Sequence, residues 1–324
     1  MKIAVIDDYQ DAFRNMKCAA KLQGHEIVSY TCSERDPAKF AARLADCEVL
    51  VMTQQRTFLT RAMIERFPVS LKMISQTGKG AVHIDLAACT ERGIIVSASG
   101  GGNSGATAEL TWALILASVR NIPTEVRNME EGRWQTTCGT GLQGKRLGVY
   151  AYGKIGSVVA QVGRAFGMRV ICWGRDGSTT RAKAAGFEIA SSREAFFASS
   201  DILTIHLPLN KDTRGLITAE DLARMQPTAR IVNTSRAPII VDGALVAALK
   251  KGRPGFAAID VFEQEPVLDR DHPLIGMPNV LCTPHLGYVT REGYELYYGE
   301  VVNNILAYAA GNPANVANPD VLKQ

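Results

Sequence analysis

Short β-branched runs alternate with helix-patterned stretches along almost the whole chain. That alternation marks parallel sheets covered by helices on both faces, because each crossover between parallel strands needs a helix. The fold class is therefore α/β. In the first third, Ile3 to Ile6, Ile27 to Ser29, Val49 to Thr53, Met73 to Gln76 and Ile94 to Ser97 read as strands, with helices over 37–44 and 86–92 between them. Gly100-Gly101-Gly102 then precedes a long apolar helix over about 106–120, with Asn103 or Ser104 available as its cap. A second series follows: Leu147 to Tyr150, Arg169 to Trp173, Ile202 to His206, Arg230 to Thr234, Phe256 to Ile259 and Val280 to Thr283.

Two doubly wound sheets account for this pattern, and 324 residues suffice for two domains of about 150 residues each. After Pro284 the alternation stops and a helix over about 290–310 follows. It has no sheet of its own, so it is expected to return to the first domain. The expected division is a discontinuous domain, 1–102 with 285–324, around a continuous domain over 103–284.

Composition removes several classes. Hydrophobic residues are 46% and charged residues 21%, within the range of soluble globular chains, which excludes a disordered or fibrous protein. The net charge of +4 is scattered, with Lys250, Lys251 and Arg253 the only tight basic group, so no nucleic-acid footprint is present. The longest apolar stretch, Leu110 to Val119, is half a bilayer span, and the acids Asp7 and Asp8 interrupt the N-terminus before a signal peptide could form. Seven separated cysteines without a CxxC pair suggest thiols in a reducing compartment and no metal site. A cytoplasmic protein with no membrane or nucleic-acid partner is expected.

Tyr150-Ala151-Tyr152-Gly153-Lys154-Ile155-Gly156 lies between a strand and a helix, the setting in which a glycine fingerprint binds a dinucleotide. Tyr152, Gly153, Lys154 and Ile155 would face the pyrophosphate at the helix N-terminus. Ala151 departs from the pattern, standing where a first glycine is usual. The next strand ends in Gly174-Arg175 instead of the acid that usually receives the adenosine ribose. Either NAD(H) or NADP(H) could serve; Arg175 favours NADP(H) by meeting a 2′-phosphate, with Asp176 the alternative ribose acceptor.

Arg236, Glu265 and His285 each lie just past a later strand end, where open α/β sheets bind ligands. Singly, each could be an ordinary surface or loop residue. Converging near a nicotinamide, they would form a hydride-transfer site: a guanidinium to grip a carboxylate and carbonyl, an imidazole to exchange a proton, and a carboxylate to orient it.

Asn233-Thr234-Ser235-Arg236, Asp260-Val261-Phe262-Glu263-Gln264-Glu265-Pro266 and Thr283-Pro284-His285-Leu286-Gly287 closely resemble three signatures of the D-isomer-specific 2-hydroxyacid dehydrogenase family. The glycine loop, His206-Leu207-Pro208-Leu209 with Thr213, and Glu109 also fit, so the resemblance covers nearly the whole chain. It implies a Rossmann domain and a flavodoxin-like substrate domain, and hydride transfer between nicotinamide and C2 of a D-2-hydroxy acid. By the same resemblance Arg236 anchors substrate, Glu265 pairs with His285 and His285 is the acid/base. Asp260 would meet the nicotinamide carboxamide, and Leu207, Pro208 and Thr234 would line the cofactor. The Gly78-Lys79-Gly80 turn would hold the substrate carboxylate, Arg56 resembles a basic position of phosphoglycerate dehydrogenases, and a homodimer is implied around the long helix. Ala237-Pro238 replaces the glycine usual after the Arg. Two alternatives remain: a phosphite-type dehydrogenase, suggested by Lys79, and a non-enzymatic dinucleotide-sensing protein.

Overall fold

The computed structural model describes residues 1–323 and divides into two compact units. One comprises Met1–Asn103 and the segment from Tyr288 onward; the other is Ser104–Gly287. The terminal segment thus returns to the first unit, whereas the boundary expected before His285 falls after Gly287. A physical reason lies in Asp260, whose carboxylate takes hydrogen bonds from the Leu286 and Gly287 amides and holds those residues to the larger unit.

The smaller unit carries five parallel strands, β1 (Lys2–Ile6), β2 (Glu26–Ser29), β3 (Val49–Met52), β4 (Met73–Thr77) and β5 (Ile95–Ser99), in the order β2-β1-β3-β4-β5. Neighbours such as Ile3 and Val49, or Val51 and Ser75, stand in register. β1 and β3, inside the sheet, are buried on both faces, which is why they read as apolar runs. Ala4, Ile6, Leu50 and Met52 pack on one face with Phe40 and Ile64. Ile3, Val5, Val49 and Val51 pack on the other, where the Arg291–Ala309 helix supplies Tyr294, Tyr298, Val301, Val302 and Ile305. That buried stripe is what docks the terminal helix here. Its start is capped by Thr290, whose hydroxyl accepts from the Gly293 amide at 3.0 Å.

The larger unit holds seven parallel strands: β6 (Arg146–Tyr150), β7 (Arg169–Trp173), β8 (Glu188–Ile189), β9 (Ile202–Ile205), β10 (Arg230–Asn233), β11 (Phe256–Ile259) and β12 (Val280–Cys282). Their order is β12-β11-β10-β9-β6-β7-β8. The order reverses between β6 and β9, the switch point at which such sheets open a crevice for ligands. The Ser104–Val119 helix buries Trp112, Leu114, Ile115 and Val119 against one sheet face with Val149 and Val232. Among the elements that the sequence reading did not name are the two-residue edge strand β8 and the Ile122–Glu130 helix. Among the described residues no helix is long and apolar enough to cross a membrane. Cys18, Cys47, Cys89 and Cys172 are buried, whereas Cys32 and Cys138 are exposed, and all seven cysteines are free.

Candidate active site

The crevice begins at the turn after β6. Ala151 has φ +76°, a left-handed conformation that disfavours any residue with a Cβ and explains why glycine is usual there. Its amide donates to the Trp173 carbonyl at 2.8 Å, which holds the strained residue in place. Gly156 is required for packing, since a Cβ there would collide with the Ala151 carbonyl oxygen. At Gly153 a Cβ would meet no protein atom within 4 Å, so the backbone is open where the Lys154–Ala165 helix begins without a side-chain cap. An open backbone at an uncapped helix N-terminus fits a pyrophosphate. Two residues not singled out in the sequence brace this turn: Ser178 Oγ accepts from the Tyr152 amide at 2.6 Å, and Arg181 donates to the Tyr152 carbonyl at 3.2 Å.

Beside the turn lies a cavity of about 430 Å³ lined by Tyr150, Trp173, Gly174, Arg175, Leu207, Asp212, Thr213 and Leu216. Its walls are mostly apolar, and Arg175 and Asp212 bring opposite charges to it. Leu207 and Thr234 are buried, and Thr234 Oγ1 is 2.8 Å from the Thr111 hydroxyl. Pro208 accepts from the Thr213 hydroxyl at 2.6 Å.

Past β10, the backbone is drawn into a compact turn that presents Arg236. Asn233 Oδ1 accepts from the Ser235 amide at 3.0 Å, Asn233 Nδ2 donates to the Arg236 carbonyl at 3.1 Å, and the Ser235 hydroxyl donates to the Leu207 carbonyl. Ala237 then enters a 3₁₀ turn, Ala237–Ile239, and is not among the left-handed residues, so a Cβ is tolerated where the family often has glycine.

Glu265 and His285 meet directly, with Oε2 and Nδ1 2.6 Å apart. The other carboxylate oxygen accepts from the Phe262 amide at 2.9 Å, fixing the carboxylate plane. Both side chains are about three-quarters buried, with 26% and 22% exposed. Burial alone would raise the Glu265 pKa. The His285 hydrogen bond and charge, the Phe262 amide and the Arg236 charge outweigh it, and the carboxyl is held below its ordinary value. Glu265 thus interacts with both His285 and Arg236 within one unit. With Nδ1 committed to Glu265, the ring directs Nε2 away from that carboxylate.

Asp260 is fully buried. Its Oδ1 accepts from the Thr283 hydroxyl at 2.6 Å and the Leu286 amide at 2.7 Å, and Oδ2 accepts from the Gly287 amide at 2.9 Å. Burial raises its pKa against these donors. The carboxylate brackets His285, which has φ +51°, and so fixes the loop from both sides. Two rival histidines are disfavoured as proton donors: burial pushes His83 down to about 4 and His206 down to about 3.

In the smaller unit, Gly78 has φ +84° and its amide is committed to the Ser99 carbonyl at 2.8 Å, which leaves the Lys79 and Gly80 amides as candidates for an anion. Lys79 is exposed. Arg56 donates from Nε to the Tyr288 hydroxyl at 2.8 Å, from Nη2 to the Tyr294 hydroxyl at 3.2 Å, and from Nη1 to the Asp7 carbonyl. The guanidinium also lies 4.5 Å from the Tyr9 ring centre. These contacts all belong to its own unit and make it a brace between strand ends and the terminal helix.

Residues 112–287 match the family model for the D-isomer specific 2-hydroxyacid dehydrogenase, NAD binding domain. A glyoxylate reductase of Aeropyrum pernix is 40% identical over 263 residues, 78% of this chain and 78% of that protein. A D-3-phosphoglycerate dehydrogenase of Bacillus subtilis is 37% identical over 268 residues, which cover 81% of this chain and 50% of that protein, so this chain spans about half that relative's length. The crystal structure of an oxidoreductase from Ralstonia solanacearum is similar with a TM-score of 0.95 and 48% identity, covering 99% of this chain and 98% of its own. The chain belongs to the D-isomer specific 2-hydroxyacid dehydrogenase family.

Proposed function

We propose that this protein interconverts a 2-oxo acid and a D-2-hydroxy acid, with His285 as acid/base, Arg236 as substrate anchor and Glu265 as the partner of His285. The observation that carries this reading is the 2.6 Å Glu265–His285 contact on a carboxylate that also feels the Arg236 charge. A bound nicotinamide supplies or takes up the hydride. In the reducing direction Arg236 grips the substrate carboxylate and draws electron density toward the carbonyl oxygen. His285 passes its Nε2 proton to that oxygen as C2 is reduced, and Glu265 stabilises the imidazolium before transfer and keeps the ring aimed. In the oxidising direction the same nitrogen takes the hydroxyl proton.

The cofactor residues of this reading are Tyr152, Gly153, Lys154 and Ile155 at the helix start, Leu207, Pro208 and Thr234 along the crevice, and Arg175 toward the adenosine, where it favours NADP(H). Asp260 serves by placing His285, with the nicotinamide carboxamide as its second assignment. Substrate recognition beyond the reacting carbon is assigned to the Lys79 and Gly80 amides and to Lys79 itself. Leu116, Ile122, Val126, Met129 and Trp134 are large apolar side chains left exposed on the Ser104–Val119 helix, the Ile122–Glu130 helix and the segment after it. Such a cluster supports a homodimer built on that face. The free thiols fit a cytoplasmic setting.

The test is a panel of glyoxylate, hydroxypyruvate, phosphohydroxypyruvate, pyruvate, phenylpyruvate and 2-oxoglutarate with each reduced cofactor, following loss of nicotinamide absorbance. Turnover of at least one acid is expected. Cofactor binding without turnover across the panel would favour a dinucleotide-sensing protein instead.

A further inference from the structure

The cavity beside the glycine turn carries a charge arrangement that the strand-end pattern does not contain. Where an acid would usually end β7, the chain has Gly174-Arg175. A carboxylate nonetheless reaches the cavity, from Asp212 in the loop after β9. Arg175 Nη1 and Asp212 Oδ2 lie 3.9 Å apart, and the two side chains are 66% and 60% exposed. Asp212 is not placed at random. The Asn210 side-chain oxygen accepts from the amides of Asp212 at 2.9 Å and Thr213 at 3.2 Å, and the Thr213 hydroxyl accepts from the Asn210 amide at 2.8 Å. The backbone is therefore fixed while the carboxylate stays at the cavity rim.

We propose that Asp212 sets how strongly this protein prefers NADP(H) over NAD(H), by competing with the cofactor's 2′-phosphate for Arg175. This rests on the dinucleotide reading of the cavity. The apolar walls formed by Tyr150, Trp173, Leu207 and Leu216 suit an adenine ring, which leaves the adenosine ribose near the charged rim. An exposed pair at this separation is weak, so Arg175 can be drawn away by a phosphate. The phosphate must then sit within a few ångströms of the Asp212 carboxylate and is repelled by it. A ribose 2′-hydroxyl has the opposite experience, since Asp212 can accept its hydrogen bond. One arginine and one aspartate from different loops thus let the site accept both cofactors and hold the preference for NADP(H) down.

The experiment titrates NADH and NADPH by nicotinamide fluorescence into the wild type, Asp212→Asn, Asp176→Asn and the double variant Arg175→Ala with Asp212→Asn. Asp212→Asn is expected to lower the Kd ratio of NADPH to NADH about tenfold, the size of one close charge contact at a partly screened site. Adding Arg175→Ala is expected to abolish that gain. An unchanged ratio in Asp212→Asn with both cofactors still bound overturns the inference alone, as does a shift produced by Asp176→Asn in its place. A wild type that binds neither cofactor overturns the dinucleotide reading and the inference with it.

Discussion

Glu265 and His285 share a 2.6 Å hydrogen bond in which only one carboxylate oxygen faces the imidazole, because the other is held by the Phe262 amide. The consequence is directional. A carboxylate fixed at both oxygens cannot swing, so the ring it holds keeps Nδ1 toward Glu265 and Nε2 turned away from it. Asp260 completes the arrangement by holding Thr283, Leu286 and Gly287 on either side of the histidine.

Acid stability should report on this pair. The Glu265 carboxyl is held below its ordinary value, so the folded state favours the ionised form. Its stabilisation is in place above the unfolded carboxyl value, near pH ~4.3, and is lost as the pH falls through the lower folded value. Glu265→Gln should therefore cost about 1.5 to 3 kcal/mol at neutral pH and much less at a pH where both forms are protonated. Urea midpoints at neutral and acidic pH check this; an equal deficit at both would assign the loss to packing.

Ala151 stores backbone strain at φ +76°. Ala151→Gly relieves a left-handed conformation costing about 1 to 2 kcal/mol in an L-residue, offset in part by the extra freedom of glycine in the unfolded chain. A net gain of about 0.5 to 1 kcal/mol in unfolding free energy is expected. A loss would show that the alanine methyl has a packing role that exceeds its strain.

Arg56 and Lys79 should separate in their effects. Arg56→Met removes three hydrogen bonds within its own unit and should lower thermal stability. Lys79→Met should leave stability unchanged and reduce kcat/KM selectively for an oxo acid with an acidic tail compared with a neutral one. Equal losses on both substrates would make Lys79 part of common carboxylate binding.

The Arg236 turn supplies another prediction. Arg236→Lys retains the charge but not the planar fork that can hold a carboxylate at two points, so it should recover little of the kcat/KM lost in Arg236→Ala. Full recovery by lysine would reduce the role to a point charge.

Much of the fold was legible because the inner strands of both sheets are buried on both faces and stand out as β-branched and apolar runs such as Val49–Met52 and Ile202–Ile205. The edge strand Glu188–Ile189 was not, since two residues carry no period. Strand-end position made Arg236, Glu265 and His285 visible as a set. The Arg175–Asp212 pairing stayed hidden because two loops 37 residues apart meet only through the order of β7, β6 and β9. The partners of Arg56 were equally hidden, since Tyr288 and Tyr294, whose hydroxyls accept from its guanidinium, lie more than 230 residues away in the sequence.

The role of His285 is measured most directly by single-turnover oxidation of bound reduced cofactor by a 2-oxo acid, compared between the wild type and His285→Ala. Loss of a positioned proton donor should slow the chemical step by about 10² to 10⁴-fold while the affinity for reduced cofactor is retained. A variant that turns over at the wild-type single-turnover rate would contradict the assignment of His285 as the acid/base.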